Sequence, residues 1–374
     1  MTSKDDSAAL LERVNEACQG KAPLRIVGGN SKKFLGNAVE EAQTELSIAG
    51  HTGIISYEPT ELVVTVRAGT PLKELNEALN SAGQMLPFEP PEFGGSTIGG
   101  VLACGLSGPR RPFLGSARDY VLGMRVINGQ AQDLSFGGEV MKNVAGYDVS
   151  RVQVGAWGTL GVLLDMSMKV LPKPVKELTL RQSSKAHASN EFAALLRQPL
   201  PLSAAMLIDD ARYLRLSGSD TAVDAAAAKL GGDIVDNDEA LWASVKDHRH
   251  EFFTQGVQTH GGDKALWRIS VADYVPSIDL QGEWLYDWAG AQRWLKTTET
   301  AEQIYDVVAR HAGHATRYSA SDDPSQPAFQ PVKDPMRRLQ SRVRDSFDPH
   351  RLFNRGRFHP EFDHSDAPSG AVSV

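Results

Sequence analysis

The sequence predicts an α+β protein built as two domains, residues 1–174 and 175–374. Three observations carry that expectation. At 374 residues the chain exceeds one ordinary hydrophobic core. Short β-branched runs and period-3.6 apolar runs are mixed along its whole length, with no internal repeat. Finally, the long apolar run 160–170 stops at Leu171-Pro172-Lys173-Pro174, a natural boundary because proline cannot continue a sheet ladder.

The elements follow in order. Leu10, Leu11, Val14, Ala17 and Cys18 share one face at helical period, and Gly20 supplies a stop. Leu24-Arg25-Ile26-Val27 reads as a strand running into Gly28-Gly29-Asn30-Ser31-Lys32. Leu62-Val63-Val64-Thr65-Val66 reads as another. A helix is expected next, with Thr70 as N-cap, Pro71 in its first turn, Leu72, Leu75, Ala78 and Leu79 on one side, and Gly83 past its end. The segment from Gly94 to Gly115 holds seven glycines, a density that marks close backbone approach. Strands are expected over 121–127, 160–170 and 266–270, and a helix over 221–230.

Composition excludes several classes. Hydrophobic residues at 41% and charged residues at 23% describe a packed globular protein. A net charge of −7 offers no footprint for nucleic acid. The densest basic group, Arg337, Arg338, Arg342 and Arg344, reads as a solvated helix face. Two cysteines, Cys18 and Cys104, are too few for an iron–sulfur cluster, which takes about four thiolates, so any such relay belongs to another chain. No run reaches the roughly 18 apolar residues of a membrane span, and the N-terminus lacks a secretory pattern. A cytoplasmic protein is expected.

The glycines carry the chemistry. Successive backbone N–H groups curved into a nest bind a diphosphate, and missing Cβ atoms let them come close. Gly28 to Lys32 offer this, with Asn30 and Ser31 as side-chain donors and Lys32 and Lys33 as charge; the plainer alternative is a turn. Neither G-x-G-x-x-G nor G-x-x-x-x-G-K-[ST] fits. A second cluster runs Ser96-Thr97-Ile98-Gly99-Gly100-Val101-Leu102-Ala103-Cys104-Gly105, and a third places Gly155, Gly158 and Gly161 before a strand. Three such loops in one half predict one extended ligand.

Phe113 to Gly129, FLGSARDYVLGMRVING, resembles the G-x-x-R-D-x-V-x-G segment of the vanillyl-alcohol-oxidase (PCMH-type) family of FAD-binding domains, through Gly115, Arg118, Asp119, Val121 and Gly123. Lys142-Asn143-Val144-Ala145-Gly146-Tyr147-Asp148 and the stretch through Gly161 resemble its K-x-x-x-G-Y-D and G-x-x-G-T-L-G motifs. Within it, Ala103-Cys104-Gly105-Leu106, Leu266-Trp267-Arg268-Ile269 and Gly313-His314-Ala315-Thr316-Arg317 are most similar to the FAD-binding E-subunit family of bacterial glycolate oxidases.

The resemblance implies a two-lobed PCMH-type FAD-binding domain followed by an α+β cap whose terminal segment returns to the flavin. It implies that Gly28, Gly29, Asn30, Ser31 and Lys32 hold the pyrophosphate, that Thr97, Gly99, Gly100 and Gly105 line flavin and diphosphate, and that Gly158, Thr159, Gly161 and Val162 run beside the adenosine half. Arg118 and Asp119 join this set through their motif. Asn354, in Asp348-Pro349-His350-Arg351-Leu352-Phe353-Asn354-Arg355-Gly356-Arg357, returns to the ring, with Arg355 where the family carries proline. Noncovalent FAD is expected, since no motif makes Cys104 or His51 an anchor. The implied activity is oxidation of glycolate to glyoxylate in a complex with a paralogous FAD-binding subunit and an iron–sulfur subunit, at the inner face of the membrane through that complex. The alternatives are a self-sufficient flavin dehydrogenase of another 2-hydroxy acid or sugar acid, and a non-catalytic assembly subunit.

Oxidation of a 2-hydroxy acid needs a base for the hydroxyl proton and a cation for the carboxylate. His314 is the candidate base, and Arg268 and Arg317 the candidate carboxylate clamps; a backbone-bonded histidine and internal ion pairs are the plainer alternatives. The histidine-rich string of related oxidases is reduced here to Gly313-His314-Ala315-Thr316-Arg317, so no metal site is expected. His248 and His250 read as exposed polar residues, and the tryptophans around Asp287-Trp288 as core.

Overall fold

A computed structural model describes residues 3–37, 39, 43–138, 148–184, 189–319 and 326–363. Lys142 to Tyr147 of the K-x-x-x-G-Y-D motif lie outside these.

The first helix, Ser7–Gly20, buries Leu10, Val14 and Ala17. Gly20 stays helical, and Lys21 takes the left-handed turn (φ 49°), its N–H returning to the last carbonyls. Leu24–Val27 pairs in parallel with Thr44–Ser47. A five-stranded antiparallel sheet then runs in the order Ile54–Glu58, Val63–Arg67, Val162–Lys169, Val121–Ile127, Asp133–Gly137. Leucines 72, 75 and 79 of helix Leu72–Ser81 pack on its apolar side. Pro71, not Thr70, is the cap of that helix: Pro71 is extended (ψ 133°), and Thr70 Oγ1 instead accepts from Gly53 N at 2.9 Å, tying the turn to the preceding strand.

Strands from Lys176 onward form a separate sheet of eight, entirely antiparallel. Its order is Asp233–Ile234, Lys176–Ser183, Ala211–Gly218, Leu202–Ile208, Glu283–Asp287, Gln292–Thr297, Ala265–Ser270, His314–Arg317. Helix Ala301–Arg310, closed by a Thr300–Gln303 capping box, buries Ile304, Tyr305 and Val308 against Trp267, Ile269 and Ala315 on one face. On the other, Leu266, Leu285 and Trp294 meet Leu35 and Leu106 of the first half.

An ionic cluster crosses the junction. Glu89 accepts from Arg110 Nε (2.8 Å) and from Arg215 Nη2 (2.8 Å), and Arg110 also pairs with Glu177. Helix Met336–Phe347 carries the basic group, and one of its arginines departs from a solvated face. Arg344 is buried, donating to Phe353 O at 3.1 Å and pairing with Asp363 at 2.6 Å. That pairing turns the chain back, so that Phe353 bridges Leu24 in parallel.

Asp287 gives the cap a pH dependence. Burial pushes its carboxyl up to about 7, despite hydrogen bonds from Trp288 N and Gln292. The folded state therefore keeps a proton that the unfolded chain releases. Stability from this residue is full below about pH 4 and is lost as pH rises toward 7. The Asp287→Asn protein is expected to resist urea better than the wild type near pH 8 and about equally near pH 4. Equal urea midpoints at the higher pH would contradict this assignment.

Candidate cofactor channel and adjoining cavity

Strand Leu24–Val27 delivers Gly28 and Gly29 to the channel, and Asn30 follows in the left-handed region (φ 54°). The second glycine cluster lies directly against the first. A Cβ on Gly29 would stand 1.6 Å from Gly95 O, so backbone meets backbone there and only glycine fits. Ser31 and Ser96 hydroxyls are 3.0 Å apart, and Lys32 Nζ donates to Ser96 Oγ at 3.0 Å. Thr97 caps helix Ile98–Cys104 by accepting from Gly100 N at 3.3 Å. Gly99 faces the neighbouring sheet, where its N–H donates to Ala68 O at 2.9 Å and an added Cβ would meet Ala68, while Gly100 stands beside Thr97 and Lys32.

Asn354 ties the opposite wall in place. Its Oδ1 accepts from Ile26 N (2.8 Å) and its N donates to Leu24 O (2.9 Å), while Nδ2 donates to Trp157 O (2.9 Å) and Gly158 O (3.3 Å). One side chain thus links the first strand, the third glycine loop and the returning C-terminal segment. The departure at Arg355 is accommodated: Gln43 accepts from its N–H (3.2 Å) and donates to its carbonyl (2.9 Å), a use of the N–H that proline could not make.

Between these walls runs an open cleft enclosing about 840 Å³ of space, bulk solvent at its mouth included. Its cations fit an anionic ligand. Lys32 is buried and bonds only to hydroxyls, and burial lowers the affinity of its amine for the proton. Arg357 donates to the carbonyls of Lys32 (2.7 Å), Lys33 and Asn37. Neither has a carboxylate partner among the described residues. A buried cation without a counter-ion is costly, and a diphosphate removes that cost.

A second cavity, open to solvent, adjoins the cleft and shares Cys104 and Trp157 with it. Arg111, Arg118, Arg268, His314 and Tyr318 line it. The register explains the grouping: Arg268 pairs with Thr316 and Ser270 with His314, which places Arg268 and His314 on one face of neighbouring strands. The guanidinium of Arg268 lies 6.0 Å from the Tyr318 ring, with no ion pair among the described residues. His314 opens its strand still exposed to solvent, and its crowded surroundings, with the like charges of Arg268 and Arg111, hold its imidazole below its ordinary value.

Arg317 faces the other way. Its alternation along the strand carries it to the opposite face of the sheet, where it donates to Gln326 (2.7 Å) and Gln258 (2.9 Å) beside a separate cleft. It does not join His314 and Arg268. His248 also departs from expectation: it is not exposed. The helix ends before it, and in a left-handed conformation it stacks on Phe253 (4.5 Å) with Trp294 and Tyr318 edge-on. Burial, then Arg268, push it down to about 3.

Of the residues expected at the cofactor, Gly28, Gly29, Asn30, Ser31, Lys32, Thr97, Gly99, Gly100, Gly158, Gly161 and Asn354 line the cleft. Gly105 and Arg118 line the second cavity instead. Asp119 closes a capping box with Ser116 (2.8 Å) on the surface, Thr159 bonds to its own turn at Ala156 O (2.7 Å), and Val162 is core. These serve the walls. Sequence reasoning missed Arg111, Tyr318 and Arg357; Arg357 was visible in the terminal string, whereas nothing in the sequence points Arg111 toward strand 265–270. His51 is spent on Asp6 N (3.1 Å) and Asp165 (3.1 Å), and burial raises the Cys104 thiol. No cluster of metal-ligating side chains occurs among the described residues, and no described helix is long and apolar enough to cross a membrane.

The fold and the cleft define an FAD-binding protein of the PCMH type: residues 3–137 match the family described as "FAD binding domain". Over 359 residues, 96% of this chain and 98% of the relative, the sequence is 48% identical to "Glycolate oxidase subunit GlcE" of Escherichia coli (strain K12). The chain belongs to that family of glycolate oxidase subunits. It is also 30% identical over 171 residues to "Glycolate oxidase subunit GlcD" of Bacillus subtilis (strain 168), covering 46% of this chain and 36% of that one. A solved alkyldihydroxyacetonephosphate synthase shares the fold, with a TM-score of 0.65 over 94% of this chain and 76% of its own at 13% identity.

Proposed function

We propose that this chain is the FAD-holding E subunit of a complex that oxidises glycolate to glyoxylate, working with a paralogous flavin subunit of the GlcD kind and an iron–sulfur subunit. The observation that supports the catalytic part is the second cavity: Arg111, Arg118, Arg268 and His314 line it beside the cofactor cleft, with no ion pair to any of the three arginines among the described residues. Lys32 and Arg357 hold the diphosphate, with the Gly28 to Ser31 loop supplying backbone donors. When bound, FAD supplies the two-electron acceptor. Arg268 and Arg111 would orient the substrate carboxylate, and His314 would take the hydroxyl proton from oxygen while the carbon bearing that hydroxyl gives up its hydride to the bound acceptor. Two cysteines are too few thiolates for a cluster, which supports a relay carried by a partner. The complex works in the cytoplasm, meeting the membrane through its partners.

The test is an anaerobic absorbance spectrum of the purified chain, alone and with its partner subunits, before and after glycolate. Bleaching of this chain's flavin band is the expected result. A flavin that stays oxidised in the active complex leaves the chain as a holder of FAD without its own catalysis. Arg268→Gln is expected to raise the KM for glycolate about 30-fold or more at unchanged flavin content, as for loss of one partner in a buried charge pair. Arg317→Gln, on the opposite face, is expected to leave KM near the wild-type value. The reverse order would remove Arg268 from the substrate site.

A further inference from the structure

Helix Met336–Phe347 lies against the protein by one edge only. Twelve-residue helices are marginal in water, and an apolar face packed on a core normally makes up the difference. This helix buries Arg344 alone. Met336 and Leu339, one turn apart, are 50% and 55% exposed. Its C-terminal end is anchored, by Phe347 edge-on to Phe136 and by Arg344 on Asp363. Its first two turns carry unburied apolar side chains beside Arg338 and Arg342, spaced i,i+4, which form no ion pair among the described residues. Arg337, by contrast, pairs with Asp334.

We propose that these turns are the docking face for a partner subunit, and that the partner presents acidic side chains around a shallow apolar pocket. This rests on the reading of the chain as one flavin subunit of a complex. Charge complementarity selects the occupant: two unpaired arginines flank Leu339 on a chain whose net charge is −7. A second copy of this chain fits poorly, because a two-fold contact brings each Arg338 and Arg342 toward its equivalent. A lipid surface fits poorly as well, since it takes a continuous apolar face, and here there are two large exposed apolar residues, with Asp334 just before the helix. The position suits a working partner: Gln340, on the same helix, lines the second cavity.

Two variants of the full chain test this, Leu339→Asp with Arg342→Glu, and Arg338→Glu with Arg342→Glu, each co-expressed with the GlcD-type flavin subunit and the iron–sulfur subunit. A tenfold or greater fall in co-purified partner is expected for both, with FAD absorbance of the isolated variants unchanged. That absorbance also verifies folding, and the charge-only variant decides the matter where the leucine change disturbs the helix. Wild-type recovery of partner by both variants overturns the docking face and leaves the complex reading intact. A wild-type chain that holds FAD but recovers no partner overturns both. Light scattering that shows a wild-type dimer lost in the variants assigns the face to a second copy, and binding to anionic phospholipid vesicles lost in the variants assigns it to lipid; either overturns the proposal.

Discussion

The Lys32→Met protein is expected to purify folded and colourless. Lys32 Nζ is held by Ser96 Oγ at 3.0 Å inside the cleft, with no carboxylate near it among the described residues. In the flavin-free chain that ammonium is an uncompensated buried charge, and replacing it with an apolar side chain of similar length relieves the protein. In the FAD-bound chain the same change removes one partner of a buried charge pair, a loss of about 2–5 kcal/mol, or roughly 30- to 4000-fold in affinity. The two effects have opposite sign. The melting temperature of the flavin-free variant should equal or exceed that of the flavin-free wild type, while its FAD titration shifts to far higher concentration. Wild-type FAD affinity in Lys32→Met would remove the diphosphate from this end of the cleft.

Glu89→Ala is expected to destabilise the whole chain by about 3–5 kcal/mol, because it leaves the buried arginines 110 and 215 facing each other without the carboxylate between them. Glu177 keeps one of them partly compensated, yet Arg215 reaches it only at 3.9 Å. Burial by itself would raise Glu89, but Arg215 and Arg110 outweigh it and hold it below the usual carboxylate range. Its contribution is therefore present above the unfolded value and lost as pH falls through the folded one, which is opposite in sign to Asp287. Urea denaturation across pH should show the wild type losing its advantage over Glu89→Ala in acid. Since Glu89 and Arg110 belong to the first half and Arg215 to the second, the same variant should expose both halves to protease together. A midpoint within a few tenths of a kcal/mol of wild type would mean that the junction rests on apolar contacts instead.

Local pattern made much of this molecule legible. Helix Leu72–Ser81 follows from apolar periodicity, with Leu72, Leu75 and Leu79 buried on one side, and strands Leu24–Val27 and Val121–Ile127 follow from runs of apolar and β-branched residues. The glycine loops were visible because close backbone approach excludes side chains, and that exclusion is written in composition. Where expectation and structure part, a tertiary partner decides. Thr70 was free to cap a helix until Gly53 took its hydroxyl, and Arg344 was free to face water until Asp363 folded back beneath it.

By itself the sequence determined the α+β class and the three glycine loops, because these depend on residue type and near neighbours. Only the tertiary structure decided that Gly29 meets Gly95, that Asn354 spans from Ile26 to Gly158, and that Arg268 shares a cavity with His314 while Arg317 does not. The last distinction turns on strand register. Residues 314 and 317 are three apart, so the alternation of a strand sends them to opposite faces, and which face meets the cofactor is set by the packing of the eight-stranded sheet on the first half.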